Sequence, residues 1–441
     1  MSSQASQVHS EGTQSTATQI EAPTKIRVWI AVVLSFVVLV AYLDRVNVSL
    51  LIAFPRFLEE MGLKGNPVGQ GLLMTFFLIS YGLGNVLLGP VGDRLGPRKA
   101  MSIALVTWAA PLVVAANAKT ITVLYASMFV LGAGEALHYP MQIALVKNWF
   151  PRQERGKANS TWLLGQMIGP ALGMSCFSMV LAGYGWRAIY WLCAILSMVA
   201  VPLIWFVIRD RPDQHPWVNK AELDYIKKGL AADAAPKEKE KGVQTGSTLQ
   251  NYLELIKSPD FCCSAISFWA SVSMWWAIMS WMPQYLRVAR GFSWAKMGVF
   301  STLPFIFGLI GLISAGVVAD KLKRAAVINC VGLSGCATFL FFAAIVPNNY
   351  LCAALLCVAL YFKGVSLPMA WTVLQAFIPA HKLGQAAGLQ NGSSQLVGAL
   401  SPMIVGFLIH ATGTYTAGLM FLVAFGYLGA VTGFYLVLRK Y

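Results

Sequence analysis

Apolar stretches of about 20 residues recur twelve times along this 441-residue chain, and they constrain its fold more than any other feature. An α-helix needs about 20 residues to cross the hydrocarbon core of a membrane. The stretches lack the strict alternation of a membrane β-barrel, so their backbone groups must be satisfied within helices. The sequence therefore predicts an all-α polytopic membrane protein with twelve transmembrane helices.

Composition supports this class: 57% of the residues are hydrophobic and 12% are charged, with a net charge of +15. A soluble domain carries roughly 25% charged residues. The basic residues lie mostly between the apolar stretches and form no basic domain or stripe, which argues against a nucleic-acid partner. The eight cysteines show no CxxC or Cys/His spacing, so we expect neither a disulfide framework nor a metal site.

The predicted helices fall into two groups of six. They cover residues 27–49, 70–91, 99–117, 121–144, 157–182, 186–208, 260–286, 297–319, 325–346, 350–376, 384–410 and 414–438. The predicted domains are a disordered cytoplasmic tail (1–24), an N-terminal six-helix half (25–208), a cytoplasmic central loop (209–258) and a C-terminal six-helix half (259–441).

Lys and Arg residues in the loops set the orientation of a membrane protein. With the N-terminus in the cytoplasm, the cytoplasmic loops and ends carry 24 of these residues and the external loops carry seven. The sequence therefore predicts that both termini are cytoplasmic.

The two halves are related by an internal repeat at an offset of about 228 residues. GPVGDRLGPRK (89–99) corresponds to GVVADKLKR (316–324), YPMQ (139–142) to LPMA (367–370), and FPRQERGKA (150–158) to IPAHKLGQA (378–386). Three matches at one spacing indicate two pseudo-symmetric halves. Such folds place the substrate site between the halves, near mid-membrane.

Few ionisable residues lie inside the predicted helices. Asp44 and Glu135 are the acids, Arg45 and Lys363 are the bases, and His138 is a further titratable group. A charge at the bilayer centre costs at least about 2.5–3.5 kcal/mol, so these residues must face the bundle interior, pair or change protonation. We predict that they mark the transport pathway; purely structural pairing is the alternative.

The four charges also suggest a mechanism. Lys363 lies 228 residues after Glu135, so the two halves present opposite charges at equivalent positions, while His138 shares a helix face with Glu135. The four charges sum to zero, and protonation of both acids would leave a site of +2 that can receive an anion. This predicts proton–anion symport with Asp44, Glu135 and His138 as the proton-coupling residues.

Several motifs resemble known transporter families. The loop at 89–99 resembles the signature loop of the major facilitator superfamily. Other motifs resemble the anion:cation symporter family, which includes bacterial sugar-acid–proton symporters, sialin and the vesicular glutamate transporters: YLDRVNVSL (42–50), GEALHYP (134–140), NWFPRQERG (148–156), LGQMIG (164–169), KAELDYI (220–226), WMPQYL (281–286) and AGLQNG (387–392). The resemblance covers nearly all of 27–438 and implies the major facilitator fold with transport by alternating access.

The resemblance also implies residue roles. Arg45 would bind a substrate carboxylate, because its planar fork suits a bidentate contact. The remaining substrate-binding residues would be Tyr42, Tyr81, Gln166, Trp371 and Asn391, with ordinary packing as the alternative for the aromatic ones. The gating residues would be Asp93, Arg94, Arg98 and Asp320, unless these charges only set the topology.

The chain departs from the sugar-acid members at two places. The segment VLYASMFVLGAGE (123–135) lacks the arginine that those members carry before the glutamate of helix 4, and Met128 stands where we expect it. Lys363 occupies a position that is uncharged in those members, and we expect it to supply a second substrate-binding cation. Pro368 and Ala370 stand where hydroxyl side chains would serve a polyol, so the substrate stays open between a sugar acid and a smaller or aromatic carboxylate.

The leading prediction is therefore a monomeric, non-enzymatic uptake transporter for a small organic anion in the inner (plasma) membrane. It needs no cofactor and uses protons, with sodium as an alternative coupling ion, since Asp44 and backbone carbonyls can coordinate one. A proton-coupled drug or cation antiporter is the alternative, but Arg45 and Lys363 count against it. A sensor would need an added signalling domain, and a channel is disfavoured by the duplicated halves. No motif for enzymatic chemistry is present.

Overall fold

The computed structural model describes residues 22–88, 94–240, 248–322, 324–379 and 382–441. Within these ranges the α-helices are α1 Ile26–Leu51, α2 Pro55–Glu60, α3 Pro67–Leu87, α4 Pro97–Ala116, α5 Ile121–Glu135, α6 His138–Trp149, α7 Arg152–Tyr184, α8 Trp186–Val207, α9 Lys220–Glu240, α10 Thr248–Lys257, α11 Pro259–Gln284, α12 Trp294–Leu322, α13 Ala325–Ile345, α14 Asn349–Phe377, α15 Leu383–Thr412 and α16 Tyr415–Leu438. Twelve helical segments of the described chain are long and apolar enough to cross a membrane, which confirms the predicted fold class.

The fourth span consists of two helices, α5 and α6, which are separated by a turn at 136–137. Pro140 explains this break, because it has no N–H to donate to the carbonyl of Ala136 and its ring crowds that carbonyl. The turn follows Glu135 directly. In the other half, α14 continues through the equivalent Pro368 without interruption.

Small residues bring the helices of each half close together. In the N-terminal half, a Cβ atom on Gly165 of α7 would lie 2.3 Å from the carbonyl oxygen of Ser35 on α1. In the C-terminal half, a Cβ atom on Gly364 of α14 would lie 2.0 Å from the carbonyl oxygen of Gly308 on α12. Only glycine allows such close backbone approach, which is how membrane helices gain packing where lipid supplies no hydrophobic driving force.

The two halves meet mainly through α3 with α15, α7 with α12, and α1 with α11. At the first of these interfaces, a Cβ atom on Gly71 would lie 2.5 Å from the carbonyl oxygen of Pro402. The Thr75 hydroxyl donates to the carbonyl of Ala399 at 2.8 Å. Both contacts lie in the first half of α3 and towards the end of α15, so the halves are closed together at the membrane face opposite the start of α1.

The two central-loop helices pack on different halves. Ile226 of α9 is buried, and Gly229 of the same helix lies against Pro151 at the start of α7. Leu255 of α10 is buried in a cluster with Phe261 of α11 and with residues of α14 and α15. Of the predicted tail, residues 22–24 belong to the described chain and contact α9, whereas 1–21 lie outside it.

Candidate functional site

A buried ion pair lies at the centre of the N-terminal half. The Arg45 guanidinium on α1 donates from Nη2 to Glu135 Oε2, at the end of α5, at 2.8 Å. The two side chains are only 2% and 1% exposed. The pair satisfies each charge with an opposite one, and removing either partner would leave a buried charge at a cost of several kcal/mol.

Four aromatic rings surround the guanidinium of this pair. Arg45 Cζ lies 4.5 Å from the ring centroid of Tyr42, 5.0 Å from Tyr81, 5.3 Å from Phe77 and 5.5 Å from Trp276. The face of an aromatic ring attracts a cation within about 6 Å, and the attraction strengthens when water is excluded. The rings therefore orient the guanidinium without consuming its hydrogen-bond donors.

Trp276 belongs to α11, so the C-terminal half covers the ion pair of the N-terminal half. Its ring stacks on that of Tyr42 at 6.4 Å with an interplanar angle of 8°. The indole Nε1 of Trp276 donates to Gln395 Oε1 of α15 at 3.1 Å, which fixes the ring from behind. The neighbouring Trp275 meets Tyr42 edge to face and packs on Phe305.

Sequence reasoning did not include Phe77, Trp276 and Gln395 among the site residues. A signal was present for Trp276. Subtracting the repeat offset of about 228 from its number gives position 48, about one helical turn from Arg45 on α1. No comparable signal marks Phe77 or Gln395, because both depend on how α3 and α15 are rotated.

Asp44 points away from Arg45, towards α8. It is 1% exposed, and the thiol of Cys193 faces it. A thiol is a weak donor, and neither carboxyl oxygen of Asp44 has a hydrogen-bond partner of normal geometry among the described residues. Asp44 and Glu135 are thus two buried acids in different settings, one unpaired and one paired.

His138 lies on the far side of the break from Glu135. Its Nε2 atom is 2.8 Å from the Gln142 amide nitrogen, which also donates to the carbonyl of Leu34. Because an amide nitrogen only donates, Nε2 accepts, and the imidazole is assigned as neutral with its proton on Nδ1. The ring packs edge to face on Trp108. Ala136 and Leu137 keep right-handed helical dihedral angles, with φ of −61° and −71°, so the turn leaves His138 on the same side of the span as Glu135, as predicted from their spacing.

Lys363 is buried in the C-terminal half, where it is 2% exposed. Its ammonium donates to the hydroxyl of Ser271 on α11 at 2.8 Å. Within the part of the chain that the structure describes, no carboxylate lies within ion-pair distance of it. Asn329, Ser366 and Ser267, which are also buried in this half, bond to one another and not to the ammonium.

The other predicted substrate-binding residues are half-buried. Gln166 lies on α7, Trp371 on α14 and Asn391 on α15. Trp371 packs edge to face on Phe268 of α11 at 4.9 Å. In the described chain these three form no hydrogen bond or cation–ring contact with the Arg45–Glu135 pair, whereas the rings of Tyr42 and Tyr81 lie over the Arg45 guanidinium.

Comparison with known proteins identifies the family. A sequence profile of the Major Facilitator Superfamily matches residues 34–402. The chain belongs to the major facilitator superfamily.

Its relatives and structural neighbours agree with this assignment. The chain is 29% identical over 402 residues to the probable sulfoacetate transporter SauU of Cupriavidus necator, covering 89% of each protein. It is 26% identical over 427 residues to the probable galactarate/D-glucarate transporter GudP of Escherichia coli, covering 92% of each. The crystal structure of a bacterial homologue of the human lysosomal transporter Spinster, in an inward-facing and occupied conformation, has a TM-score of 0.74 at 14% identity and covers 94% of this chain and 97% of that one.

In this member of the superfamily, the described gating residues do not join the two halves. The backbone N–H of Arg98 donates to Asp210 at 2.7 Å, and its side chain donates to the carbonyl of Trp205 at the end of α8. Arg94 is exposed. Asp93 lies outside the described residues, and so does the side chain of Asp320. The gate prediction is therefore untested, and Arg98 ties α4 to α8 within one half.

Gly96 is needed for the Arg98 arrangement. Its φ is +80°, and a Cβ atom there would lie 2.7 Å from Asp210 Oδ2. Asp210 accepts the N–H of Arg98 in the first turn of α4, so it caps this helix from a distant part of the chain. Glycine lets the carboxylate approach the helix end.

A second polar network lies at the start of α1 and was not foreseen from the sequence. Glu222 of α9 is fully buried and accepts from the backbone N–H groups of Ile26 and Arg27 and from the Arg27 guanidinium. Arg27 also pairs with Glu154 of α7 at 2.9 Å. Burial alone would raise the pKa of Glu222, but hydrogen bonds from Thr24, Ile26 and Arg27 outweigh it and lower the pKa. The network joins the central loop to α1 and α7.

Proposed function

We propose that this protein is a secondary active transporter that takes up a small organic anion together with protons by alternating access. The observation that carries the proposal is the buried Arg45–Glu135 pair, which lies under an aromatic ring of the opposite half. A guanidinium at the junction of two halves suits an anionic substrate, and a carboxylate already bound to it suits a proton carrier.

The pair supplies a physical reason for coupling. The Glu135 carboxylate accepts a hydrogen bond from the Arg45 guanidinium in this structure, so a substrate carboxylate must displace Glu135 to bind Arg45. Protonation of Glu135 removes its charge and frees the guanidinium for the substrate. Deprotonation restores the internal pair and expels the anion. Anion and proton therefore bind together and leave together.

Asp44 is proposed as a second proton carrier. A buried charged carboxylate without a partner is costly, so the unpaired pocket between α1 and α8 accommodates the neutral acid. Its position on the same helix as Arg45 links its protonation to the packing of α1 on α8. A neutral His138 held by Gln142 fits a supporting role better than a cationic one.

The conformation fits one step of the cycle. With the orientation predicted from the loop charges, the face at which α3 meets α15 is external. The contacts of Gly71 and Thr75 then close the external side, which supports an inward-facing state. Both termini would be cytoplasmic, and the predicted location is the inner membrane.

The names of the relatives support an organic-acid substrate. Sulfoacetate, galactarate and D-glucarate, the compounds named for the two relatives, are small organic acids that carry two acid groups each. The ion pair alone accounts for the binding of one acid group.

A transport assay tests this function. Purified protein is first challenged with a panel of sugar acids, aromatic acids and small dicarboxylates, and a substrate should raise its melting temperature by mass action. The stabilising acid is then assayed in proteoliposomes with an imposed pH gradient. Glu135→Gln should abolish uphill accumulation but keep exchange of external for internal substrate, because the neutral amide mimics the protonated acid.

The matched control is Glu59→Gln, an exposed glutamate paired with Lys64 at the surface, which should accumulate substrate like the wild type. Full uphill uptake by Glu135→Gln would remove the proton role from Glu135. Stabilisation by cations or neutral compounds only would overturn the anion assignment.

A further inference from the structure

Among the described residues that are fully buried within the spans, Lys363 is the one whose charge the proposed mechanism leaves unused. An ammonium carries three donors, and Lys363 uses one of them on Ser271. A lysine retained only for packing would be expected to pair with a carboxylate, because an unpaired buried charge is unfavourable. Among the described residues, the only carboxylates that are fully buried inside the spans are those of Glu135, which pairs with Arg45, and of Asp44, which lies against α8.

The charge count determines what a ligand must bring. Once Glu135 and Asp44 are neutral, Arg45 and Lys363 leave the interior at +2. A monoanion neutralises only one of these charges, whereas a dianion neutralises both. The second charge comes from the C-terminal half, at the repeat position equivalent to Glu135.

One helix contacts both cations. Trp276 of α11 covers Arg45, and Ser271 of the same helix holds Lys363. Ser271 and Trp276 are five residues apart, about 7.5 Å along the helix axis and about 140° around it, so a shared ligand requires the Lys363 ammonium to leave Ser271 and turn towards Arg45. Arg45 and Lys363 belong to different halves, so alternating access changes the distance between them. The lysine stem is long and flexible, so its ammonium can leave Ser271 for a ligand.

We infer that the central site takes an organic anion with two acid groups, one bound by Arg45 and the other by Lys363. This inference rests on the proposed function and specifies its substrate class. The hydroxyl of Ser271 holds the ammonium between transport events, and the second acid group replaces that hydroxyl when substrate is bound.

The experiment compares acids that differ only in the number of acid groups. The probes are D-glucarate against D-gluconate and adipate against hexanoate, with dissociation constants measured by calorimetry on purified protein and substrate exchange measured in proteoliposomes. The wild type should bind the diacid at least tenfold more tightly than the monoacid in one or both pairs. In Lys363→Gln, diacid binding should weaken at least tenfold while monoacid binding stays within threefold, and Lys363→Arg should keep most of the preference.

The matched control is Lys296→Gln, at the partly exposed start of α12, where the ammonium bonds to Tyr350. This variant should bind both acids like the wild type. Equal binding of mono- and diacids by the wild type, or an unchanged preference in Lys363→Gln, would overturn the inference. The wild-type comparison does not depend on whether the variant folds. If none of these four acids binds but another acid of the panel used to test the proposed function does, and that acid carries one acid group, the inference fails while the proposed function stands; if no acid of that panel binds or exchanges, the proposed function itself fails.

Discussion

The two halves of this transporter share a backbone plan but differ in the chemistry of their interiors. In the N-terminal half, the cation of α1 pairs with the acid at the end of α5. In the C-terminal half, the equivalent helices α11 and α14 hold a lysine on a serine hydroxyl. One half therefore contains an internally neutral pair, and the other contains an unbalanced charge.

This difference separates packing from function. The glycines that bring neighbouring helices together occur in both halves, as at Gly165 and Gly364. The buried charges are not repeated between the halves. A symmetric arrangement would place two acids or two bases at equivalent depths, whereas here an acid, Glu135, is equivalent to a base, Lys363. The asymmetry leaves a positive charge in the C-terminal half without an opposite partner among the described residues, which suits the proposed binding of an anion.

The largest expected effect distinguishes the two buried cations. Arg45→Met should lower the free energy of unfolding by about 3–5 kcal/mol, because it leaves Glu135 buried without a partner. Lys363→Met should leave it unchanged or raise it, because this change removes a buried charge that has no opposite partner. Reversible unfolding in mixed micelles measures the free energy of unfolding of both variants and of the wild type.

The double variant Arg45→Met with Glu135→Met is the control for this comparison. It should recover most of the stability lost in the single arginine variant, since neither charge is left alone. A Lys363→Met variant as unstable as Arg45→Met would show that Lys363 has a structural partner, and the contrast between the halves would be lost.

An intermediate effect is expected where the halves meet. Gly71→Ala should force α3 and α15 apart, because its Cβ atom would lie 2.5 Å from the backbone oxygen of Pro402. Overpacking of this kind costs about 1–3 kcal/mol, so the closed face should open about tenfold more often. The labelling rate of a cysteine at position 399, in a cysteine-free background, measures this opening.

Gly388→Ala adds the same methyl group to α15 where nothing lies within 4 Å, and it should label like the parent. Equal labelling of the Gly71 and Gly388 variants would contradict the close contact. It would also imply that the two halves do not separate at this face as independent bodies.

The last prediction contrasts the two central-loop helices. Glu222→Gln in α9 should cost about 1.5–3 kcal/mol, because it weakens several hydrogen bonds to a buried charge. Glu254→Gln in α10 should cost no more than about 1 kcal/mol, because Glu254 pairs with Lys382 in an exposed position. Thermal unfolding at pH 7 compares them.

The pH dependence gives a second readout. Because the pKa of Glu222 is lowered in the folded protein, its contribution to stability is present above the ordinary carboxyl pKa of about 4.3 and is lost as the pH falls through the lowered value. The difference between wild type and Glu222→Gln should therefore shrink in acid. A difference that stays constant with pH would assign the effect of the variant to altered packing.

The fold could be predicted from the sequence because membrane helices leave strong local signals. Apolar length gives the spans, and the 228-residue repeat gives the two halves. The turn after Glu135 was not predicted from the sequence. Pro140 weakens the helix at that point, but the equivalent Pro368 lies within the continuous helix α14, so a proline alone does not predict a turn. Whether a proline interrupts a helix depends on what its neighbours can bond, and a local pattern does not contain that information.

The buried charges of the candidate site were predictable as a set of residues but not as a set of partners. Placing a charge in a membrane interior has a high free-energy cost, and this argument alone selects Asp44, Arg45, Glu135 and Lys363. The direction of each side chain depends on helix rotation and packing, so the sequence did not assign Glu135 to Arg45 or Ser271 to Lys363. The Glu222 network was missed for the same reason, since its members come from three distant segments.

At the turn at 136–137 the fourth span lacks the hydrogen bond that Pro140 cannot donate to the carbonyl of Ala136, immediately beside Glu135, the proposed proton carrier. The backbone keeps helical dihedral angles there, so the turn marks a place where the helix bends more easily and is not a bend in itself. Bending there would move Glu135 relative to Arg45 on the continuous helix α1 and would change the strength of the pair without any change in the surrounding charges. In the proposed cycle, the shape of this one helix and the protonation of Glu135 would therefore be coupled.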